Sequence, residues 1–580
     1  MPLVSRLRLL FFVAVAPLLL AAISIYGCGT GDNTGGIEPP EKQPAQTEIV
    51  IRDVTKETGI DFTYQNGREA KHRSIVESLG GGLAALDYDL DGLYDLVCAG
   101  GGKWVKKKPV GLPTLLSRNL GDWKFSTVTD AARITRPVCY THGCQIADYN
   151  NDGFPDLLIT GYPAVQLFRN QGDGTFVEVQ NEARLNDRTW SSSAAWGDFD
   201  NDGAIDLYIC HYVNWSFKNH PACDVGEERD VCPPKLFSGM SDSIYFGDGQ
   251  GGFIDRSKTA GIRNKKWTKS AKGLGVIVCD FDRDNDLDIY VANDTTRNFL
   301  FINDGTGKFE EKAILWGVGG DAGGTANGSM GIDVADYDWD GKPDIFVTNY
   351  EQESMALYRQ DKYGFRHVSG PTGITSNGQL FVGFGTGFID IELDGDEDIV
   401  VANGHVIYHP KNSPMKQKPI LLMNNRSEVQ RSSQTRFPPA TFKPDQYFST
   451  GHVGRGLVLS DFDNNGMVDM AISNNVEPVA ILRNETKAQG NWLQVRLVGR
   501  ASCRDAVGAS VVAHMTDGLK FLRVVKGGGS YLSQNDPRLA WGLPKNAKIE
   551  KLTVKWPSGK LQIVEMDGIN KLHTIIEPAN

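Results

Sequence analysis

Twenty-eight side chains, four from each of seven acidic loops, form the chemically most pointed pattern in this sequence. They are Asp87, Asp89, Asp91 and Asp95; Asp148, Asn150, Asp152 and Asp156; Asp198, Asp200, Asp202 and Asp206; Asp280, Asp282, Asp284 and Asp288; Asp336, Asp338, Asp340 and Asp344; Asp390, Glu392, Asp394 and Asp398; and Asp461, Asp463, Asn465 and Asp469. Each set stands at positions 1, 3, 5 and 9 of a ten-residue stretch whose sixth residue is Gly, except at Asn285. Twenty-six of the twenty-eight are carboxylates. Four acidic groups converging on one turn cannot all stay ionised without a cation. Hard oxygen donors at alternating positions, with Gly for a sharp turn, are the ligand set that calcium (Ca²⁺) takes. Up to seven Ca²⁺ sites are therefore expected, with the Asp280 loop (Asn for Gly) and the Asp148 loop (a neutral Asn150) the weakest.

The elements that must position these loops are strands. An EF-hand would need a bidentate Glu at position 12 and a helix on either side. Here position 12 is Cys98, Ile159, Ile209, Val291, Val347, Val401 and Ile472, inside runs such as DLVCAG, DIYVAN and DIVVAN. These runs are rich in β-branched residues and read as buried strands. The segments before the loops (GGLAAL, SAAWG, GLGVIVC) are short, apolar and mostly opened by Gly. Each loop thus closes a β-hairpin, and the Asp at position 9 takes the part of the EF-hand Glu. A third strand follows (QLFRN, FLFIN, AILRN), and in several repeats a fourth of the type FIDRSKTAGI.

Loop starts are separated by 61, 50, 82, 56, 54 and 71 residues, the spacing of an array of strand units. The segment IRDVTKETGI near residue 51 matches the fourth strand but has no loop before it, whereas the seventh repeat has no fourth strand of its own. Residues 49–55 are expected to supply it, closing the ring and removing exposed edges. The expected fold is all-β: a seven-bladed β-propeller over residues 47–486, followed by a small β domain over 487–580. The longest gap between loops contains the polar insertion HPACDVGEERDVCPP, a partner-binding element in this reading.

The loop–strand repeats resemble the FG-GAP/VCBS family, whose cation-loop blades also form the head of integrin α chains. The last stretch, with SCRDAVGAS, GGGSYLSQNDPRLAWGL and VKWPSG, resembles the ASPIC/UnbV module that follows such blades in the cartilage acidic protein family and in bacterial secreted proteins. The likeness includes Arg504, Gly508, Gly529, Tyr531, Gln534, Gly542, Trp556 and Gly559, while Cys503 stands where the family pattern more often has Asn. It implies an extracellular calcium-binding protein.

The N-terminus fits export. Arg6 and Arg8 precede an apolar run from Leu9 to Ile25, which ends in Ile-Tyr-Gly-Cys28. Residues 1–27 read as a signal peptide, Cys28 as a lipidated cysteine of bacterial-lipobox type, and 28–46 as a flexible Gly/Pro tether. The expectation is a membrane-anchored lipoprotein, periplasmic or on the cell surface. Export permits disulfides. Cys223 and Cys232 are the first pair expected and Cys139 with Cys144 the second, with Cys98, Cys210 and Cys279 as buried thiols.

A net charge of −11 is absorbed by the loops, since seven divalent cations would bring the chain to about +3. No basic stripe points to nucleic acid. The histidines lack metal spacing, and there is neither a G-x-S-x-G elbow nor a phosphate loop. His405 (NGHV) and His452 (TGHVGRG) are expected as hydrogen-bonded turn residues. The expected role is therefore a binding or adhesion scaffold for a protein or glycan. A carbohydrate-active enzyme of polysaccharide-lyase type on the same stiffened propeller is the alternative.

Overall fold

A computed structural model describes residues 48–134, 139–426 and 436–579. The signal stretch, Cys28 and the tether lie outside the described residues. From Thr47 to Asn580 the chain forms one compact unit.

Each acidic loop joins the first two strands of an antiparallel sheet, and seven such sheets follow one another along the chain. Sheet 1 is typical: Leu83–Leu86 pairs with Asp95–Cys98, then Leu115–Asn119, then Phe125–Thr127. The first strands of the sheets touch one another in sequence, and the seventh (Gly454–Ser460) returns to the first, so the array is a closed cycle. This is a β-propeller, and the short α-helices among the described residues (Thr55–Thr58, Ser369–Thr372 and Ile374–Gly378) lie outside its seven sheets. Both faces of the first two strands are buried, because each sheet is sandwiched between two neighbours. Apolar clusters fill those gaps, for example Leu86, Val97 and Leu116 against Ile146, Leu157 and Phe168 between sheets 1 and 2.

Glycines opening the first strands let backbones converge on the axis. A Cβ at Gly331 would lie 1.9 Å from the Phe384 carbonyl oxygen, and one at Gly456 2.3 Å from that of Gly81. The ring closes between chain regions more than 400 residues apart: Ile51, Arg52 and Asp53 pair with Asn484, Arg483 and Leu482 as the outer strand of sheet 7. Closure of this kind leaves no unpaired sheet edge at the seam.

The C-terminal strands form two sheets, of three and four strands, around a core that includes Leu493, Val511, Trp541 and Trp556. This region does not stand apart. Its segment 526–538 runs into the axis of the ring. Gly527 and Gly528 add a fifth strand to sheet 4, opposite Val278 and Ile277. Ser530 exchanges backbone hydrogen bonds with Ile332 of sheet 5. Gln534 does the same with Leu83 and Ala85 of sheet 1.

Cys223 and Cys232 are joined in a disulfide across the insertion. Cys139 and Cys144, the second pair expected, are separate buried thiols. They lie five residues apart along extended chain at the start of one strand (Tyr140–Ala147), about 16 Å at the usual rise and beyond disulfide reach.

Candidate metal centres

The loop backbone explains the spacing of its residues. Position 6 has φ between 80° and 101° in all seven loops, a left-handed conformation natural to Gly; Asn285 adopts it too, at 87°. Asn tolerates this region better than most residues. Position 4 is also left-handed throughout, at Leu90, Asn151, Asn201, Arg283, Trp339, Leu393 and Asn464. Asn at three of the seven was the available signal for this second turn, and it was not read from the sequence.

The side chains divide the labour. At position 1, one carboxylate oxygen accepts the amide of residue 6; Asp148, Asp198, Asp336, Asp390 and Asp461 each do so at 2.8–3.0 Å. Position 5 makes a tight turn with the amide two residues on, as Asp202 does with Ala204 at 2.8 Å. Position 9 is a hub. Asp95 accepts the amides of Tyr88 (3.1 Å) and Asn119 (2.7 Å), tying its loop to the end of the third strand. Asp156, Asp206, Asp288, Asp398 and Asp469 repeat that pair of bonds.

Carboxylate oxygens of positions 1, 3 and 9 lie within 4.8 Å of one another in five loops, those beginning at Asp87, Asp198, Asp280, Asp336 and Asp461. Position 5 does not enter these trios. The Asp280 trio forms despite Asn285, whose side chain donates to the Pro557 carbonyl at 2.9 Å. The Asp148 and Asp390 loops show no such trio. The first has an amide, Asn150, at position 3, and its Nδ2 donates to Asp152; the second has the longer Glu392.

A cation test is provided by position 3. In four loops a guanidinium pairs with its outer oxygen: Arg118 with Asp89 (2.7 Å), Arg256 with Asp200 (2.8 Å), Arg359 with Asp338, and Arg483 with Asp463 (3.2 Å). The other oxygen, Oδ1 of Asp89, Asp200, Asp338 and Asp463, is buried with no hydrogen-bond partner; Oδ1 of Asp87 and Asp280 and Oε2 of Glu392 share this state. A buried carboxylate oxygen without a partner costs on the order of 1–3 kcal/mol or more, and a hard cation at the trio removes that cost. Burial above all, with neighbouring carboxylates, pushes Asp95 up to about 8 and Asp156 to about 9. The arginines were not anticipated from the sequence, although three of them (Arg118, Arg359 and Arg483) stand just before Asn or Gln in the third strand, a legible RN or RQ pair; Arg256 instead follows the fourth strand of its sheet.

That third-strand amide carries a second function. Nδ2 of Asn119, Asn170, Asn303, Asn424 and Asn484, and the side-chain amide of Gln360, each donate to the position-2 carbonyl of the preceding sheet's loop: Phe462, Tyr88, Phe199, Tyr337, Ile391 and Phe281 respectively. Sheet 3 has Gly247 there. A Cβ at that residue would lie 2.4 Å from the Ile205 carbonyl oxygen.

His142 and His211 are fully enclosed. His405 is buried against Glu351 (3.4 Å) and Tyr350, and His452 stacks on Tyr447 with Nδ1 on Glu477 at 3.1 Å. Cavities of about 140 and 90 Å³ lie between the ring and the C-terminal sheets, and neither is lined by a histidine.

Fold and loops together define a class, a β-propeller whose hairpin turns are acidic cation-type loops. Comparison with known families agrees: residues 87–159, 148–209 and 280–347 match the FG-GAP-like repeat, and 499–580 match ASPIC and UnbV. The chain thus carries FG-GAP-like repeats and ends in an ASPIC and UnbV region. It is similar to cartilage acidic protein 1 of mouse, 24% identical over 507 residues covering 77% of this chain and 75% of that protein. The human protein of the same name is 23% identical, covering 74% and 70%. Among solved structures, an Agrocybe aegerita lectin that recognises non-reducing terminal N-acetylglucosamine overlaps 68% of this chain and 86% of its own at 15% identity and TM-score 0.39. Rhamnogalacturonan lyase YesW overlaps 70% and 72%, at 10% identity and TM-score 0.36.

Proposed function

We propose that this protein is an exported, lipid-anchored scaffold whose propeller is stiffened by Ca²⁺ at up to seven loops and which presents a rigid surface to a protein or glycan. The observation that carries the cation reading is the recurrence, in four loops, of one buried, unpartnered oxygen on the position-3 carboxylate beside an arginine that holds its other oxygen. Oxygen-only donors in an exported module suit a cation held at about 10⁻⁴ to 10⁻³ M. The face opposite the acidic loops carries the Cys223–Cys232 insertion, packed against a buried aromatic layer of Trp104, Trp190, Tyr212 and Trp215, and the exposed side of that face is the surface offered for binding. Cys28 would hold the protein at a membrane.

The test is thermal unfolding with millimolar Ca²⁺ and with excess chelator. Binding to the folded state alone stabilises by mass action, about 2.7 kcal/mol per site at a hundredfold excess over Kd. Chelation should lower the melting temperature by several degrees, and an unchanged curve would sink the proposal. Export and anchoring are read separately, by mass spectrometry of the mature N-terminus, where an acylated Cys28 is expected.

A further inference from the structure

The C-terminal region is seated on the acidic loops, whose position-5 residues Asp91, Asp152, Asp202, Asp284 and Asn465 stay exposed. Gln494 donates to Asp461 Oδ2 at 2.8 Å, and the Trp492 ring covers Gly466, where a Cβ would lie 2.2 Å from it. The Gln489 amide donates to the Glu392 carbonyl (2.7 Å), and Asp505 accepts the Asp148 amide (2.8 Å). Asn285 reaches Pro557, and Phe521 packs edge-on against Trp339 with ring centroids 4.5 Å apart. These contacts are shape and hydrogen bonding. Basic groups also belong to the seat: Arg504 stands 3.5 Å from Asp148 and Lys555 3.6 Å from Asp280, Arg538 donates to the Asp461 backbone carbonyl at 2.8 Å, and Arg523 pairs with Glu397 of the Asp390 loop at 3.2 Å.

From that seat segment 526–538 enters the axis and touches the innermost strand of every sheet. Besides the strands of sheets 1, 4 and 5, the Leu532 carbonyl accepts the Cys144 amide of sheet 2, and Ser530 Oγ donates to Leu457 of sheet 7. Tyr531, fully buried, packs on Phe384 of sheet 6 with centroids 4.8 Å apart. Gly527 passes so close to sheet 3 that a Cβ would lie 1.9 Å from the Trp196 carbonyl oxygen. Ser530 and Leu532 are both left-handed, at φ 52° and 53°, an unfavourable backbone kept in place by the strands around it. Strain of this kind favours withdrawal once the seat loosens.

We infer that the C-terminal region is an intramolecular plug of the propeller whose insertion is conditional on cation-ordered loops: the loops, set by their cations, form the seat, and losing the cations releases segment 526–538 from the axis. The inference rests on the cation reading above. It makes the cation a regulator of what the axis exposes, beyond a stiffener of single turns. Bare acidic loops would attract Arg504, Arg523, Arg538 and Lys555 more strongly. Arg504 and Lys555 stand 3.5 Å or more away, Arg538 bonds to a backbone carbonyl, and the other contacts depend on loop shape, so ordering wins over charge.

Hydrogen exchange of the full chain, with Ca²⁺ and with chelator, tests this alongside the melting curve. Amides that the plug protects, those of Cys144, Ile332, Gly529, Ser530 and Gln534, should exchange at least tenfold faster in chelator, while the sheet pairs in the blade interiors stay protected. A lowered melting temperature with plug exchange unchanged or slowed overturns the inference and leaves the cation reading standing. If neither responds to chelator, both fall. A second measurement uses Gln494→Leu, which keeps the fold's apolar packing but loses the bond to Asp461. Coupling is reciprocal, so by calorimetry at least one Ca²⁺ equivalent should bind several-fold more weakly; an identical isotherm counts against the coupling.

Discussion

Asn119 holds the seam at which the ring closes, and its removal has a calculable cost. The residue is 1% exposed. Its Nδ2 donates to the carbonyls of Phe462 (2.8 Å), 343 residues away, and Tyr94 (3.1 Å), and its Oδ1 accepts the Gly121 amide at 3.0 Å. A neutral hydrogen bond is worth about 1 kcal/mol net, and a buried group left without its partner costs more. Asn119→Ala should therefore cost about 2–4 kcal/mol. The unfolding entropy of a unit spanning Thr47–Asn580 is about 1.1 kcal/mol/K at the usual per-residue value, so the melting temperature should fall by about 2–4 °C. Asn119→Asp separates hydrogen bonding from packing. It keeps the shape but turns a carboxylate on two carbonyls, and should be less stable than the alanine variant at pH 7. Calorimetry in saturating Ca²⁺ measures both. An alanine variant within about 1 °C of the native protein, or an aspartate variant more stable than the alanine one, would refute the claim that these side-chain amides clasp neighbouring sheets.

Three further outcomes are expected. In sheet 3, His211 and Asp187 form an enclosed ion pair at 3.0 Å, with Nδ1 donating to the Ser241 carbonyl. Burial alone would depress the imidazolium, and Asp187 more than reverses this, so the folded value lies above the ordinary histidine value. A raised folded pKa gives stability that is complete below about 6.5 and fades as pH rises through the folded value. Urea titrations of native protein and His211→Gln should thus converge as pH rises above the ordinary histidine range; a gap that widens with pH contradicts the pairing. Asp338→Asn removes one of the buried oxygens of the Asp336 trio, and calorimetry should lose one Ca²⁺ equivalent or weaken it by tenfold or more, whereas Asp361→Asn, on an exposed residue of the same sheet, should leave the stoichiometry intact. Replacing Cys223 and Cys232 by Ser opens a bridge that spans nine positions, worth about 2.5–3 kcal/mol of chain entropy by the loop-closure relation. Because the bridge lies within one insertion, the loss should appear as faster proteolysis of residues 215–240, with the main melting transition little moved.

The strand framework was legible because two periodicities coincide in each repeat: the acidic alternation of the loop and the buried β-branched run after it. Even the closing strand could be read, as a fourth strand with no loop before residue 51. What the sequence concealed were relations between repeats. That Asn119 and its counterparts reach the previous sheet depends on the angle between sheets, which no single repeat encodes. The position-5 side chains looked equivalent to the other three oxygens, yet local turn bonds such as Asp202 to Ala204 draw them aside, since a short polar side chain readily bonds to the backbone two residues on. Cys139 and Cys144 looked bridgeable by count, and strand geometry keeps them apart.

The family-like pattern at the C-terminus illustrates the same point at larger scale. Gly529, Tyr531 and Gln534 belong to a short run, GGGSYLSQND, whose composition suggests a loose turn. In the fold it is among the most enclosed segments of the chain, and each residue type has a reason that only the axis supplies. Gly527 and Gly528 pass where no Cβ fits, and Gln534 bonds both the amide (2.7 Å) and the carbonyl (2.9 Å) of Ile146 as if it were backbone. Tyr531 carries the tip into the aromatic layer of the opposite face. A ring of seven sheets leaves an axis lined by backbone, and backbone groups without water need partners. The terminal segment supplies them, so the two ends of the chain complete one structure: residues 51–53 close its circumference and residues 526–538 fill its centre.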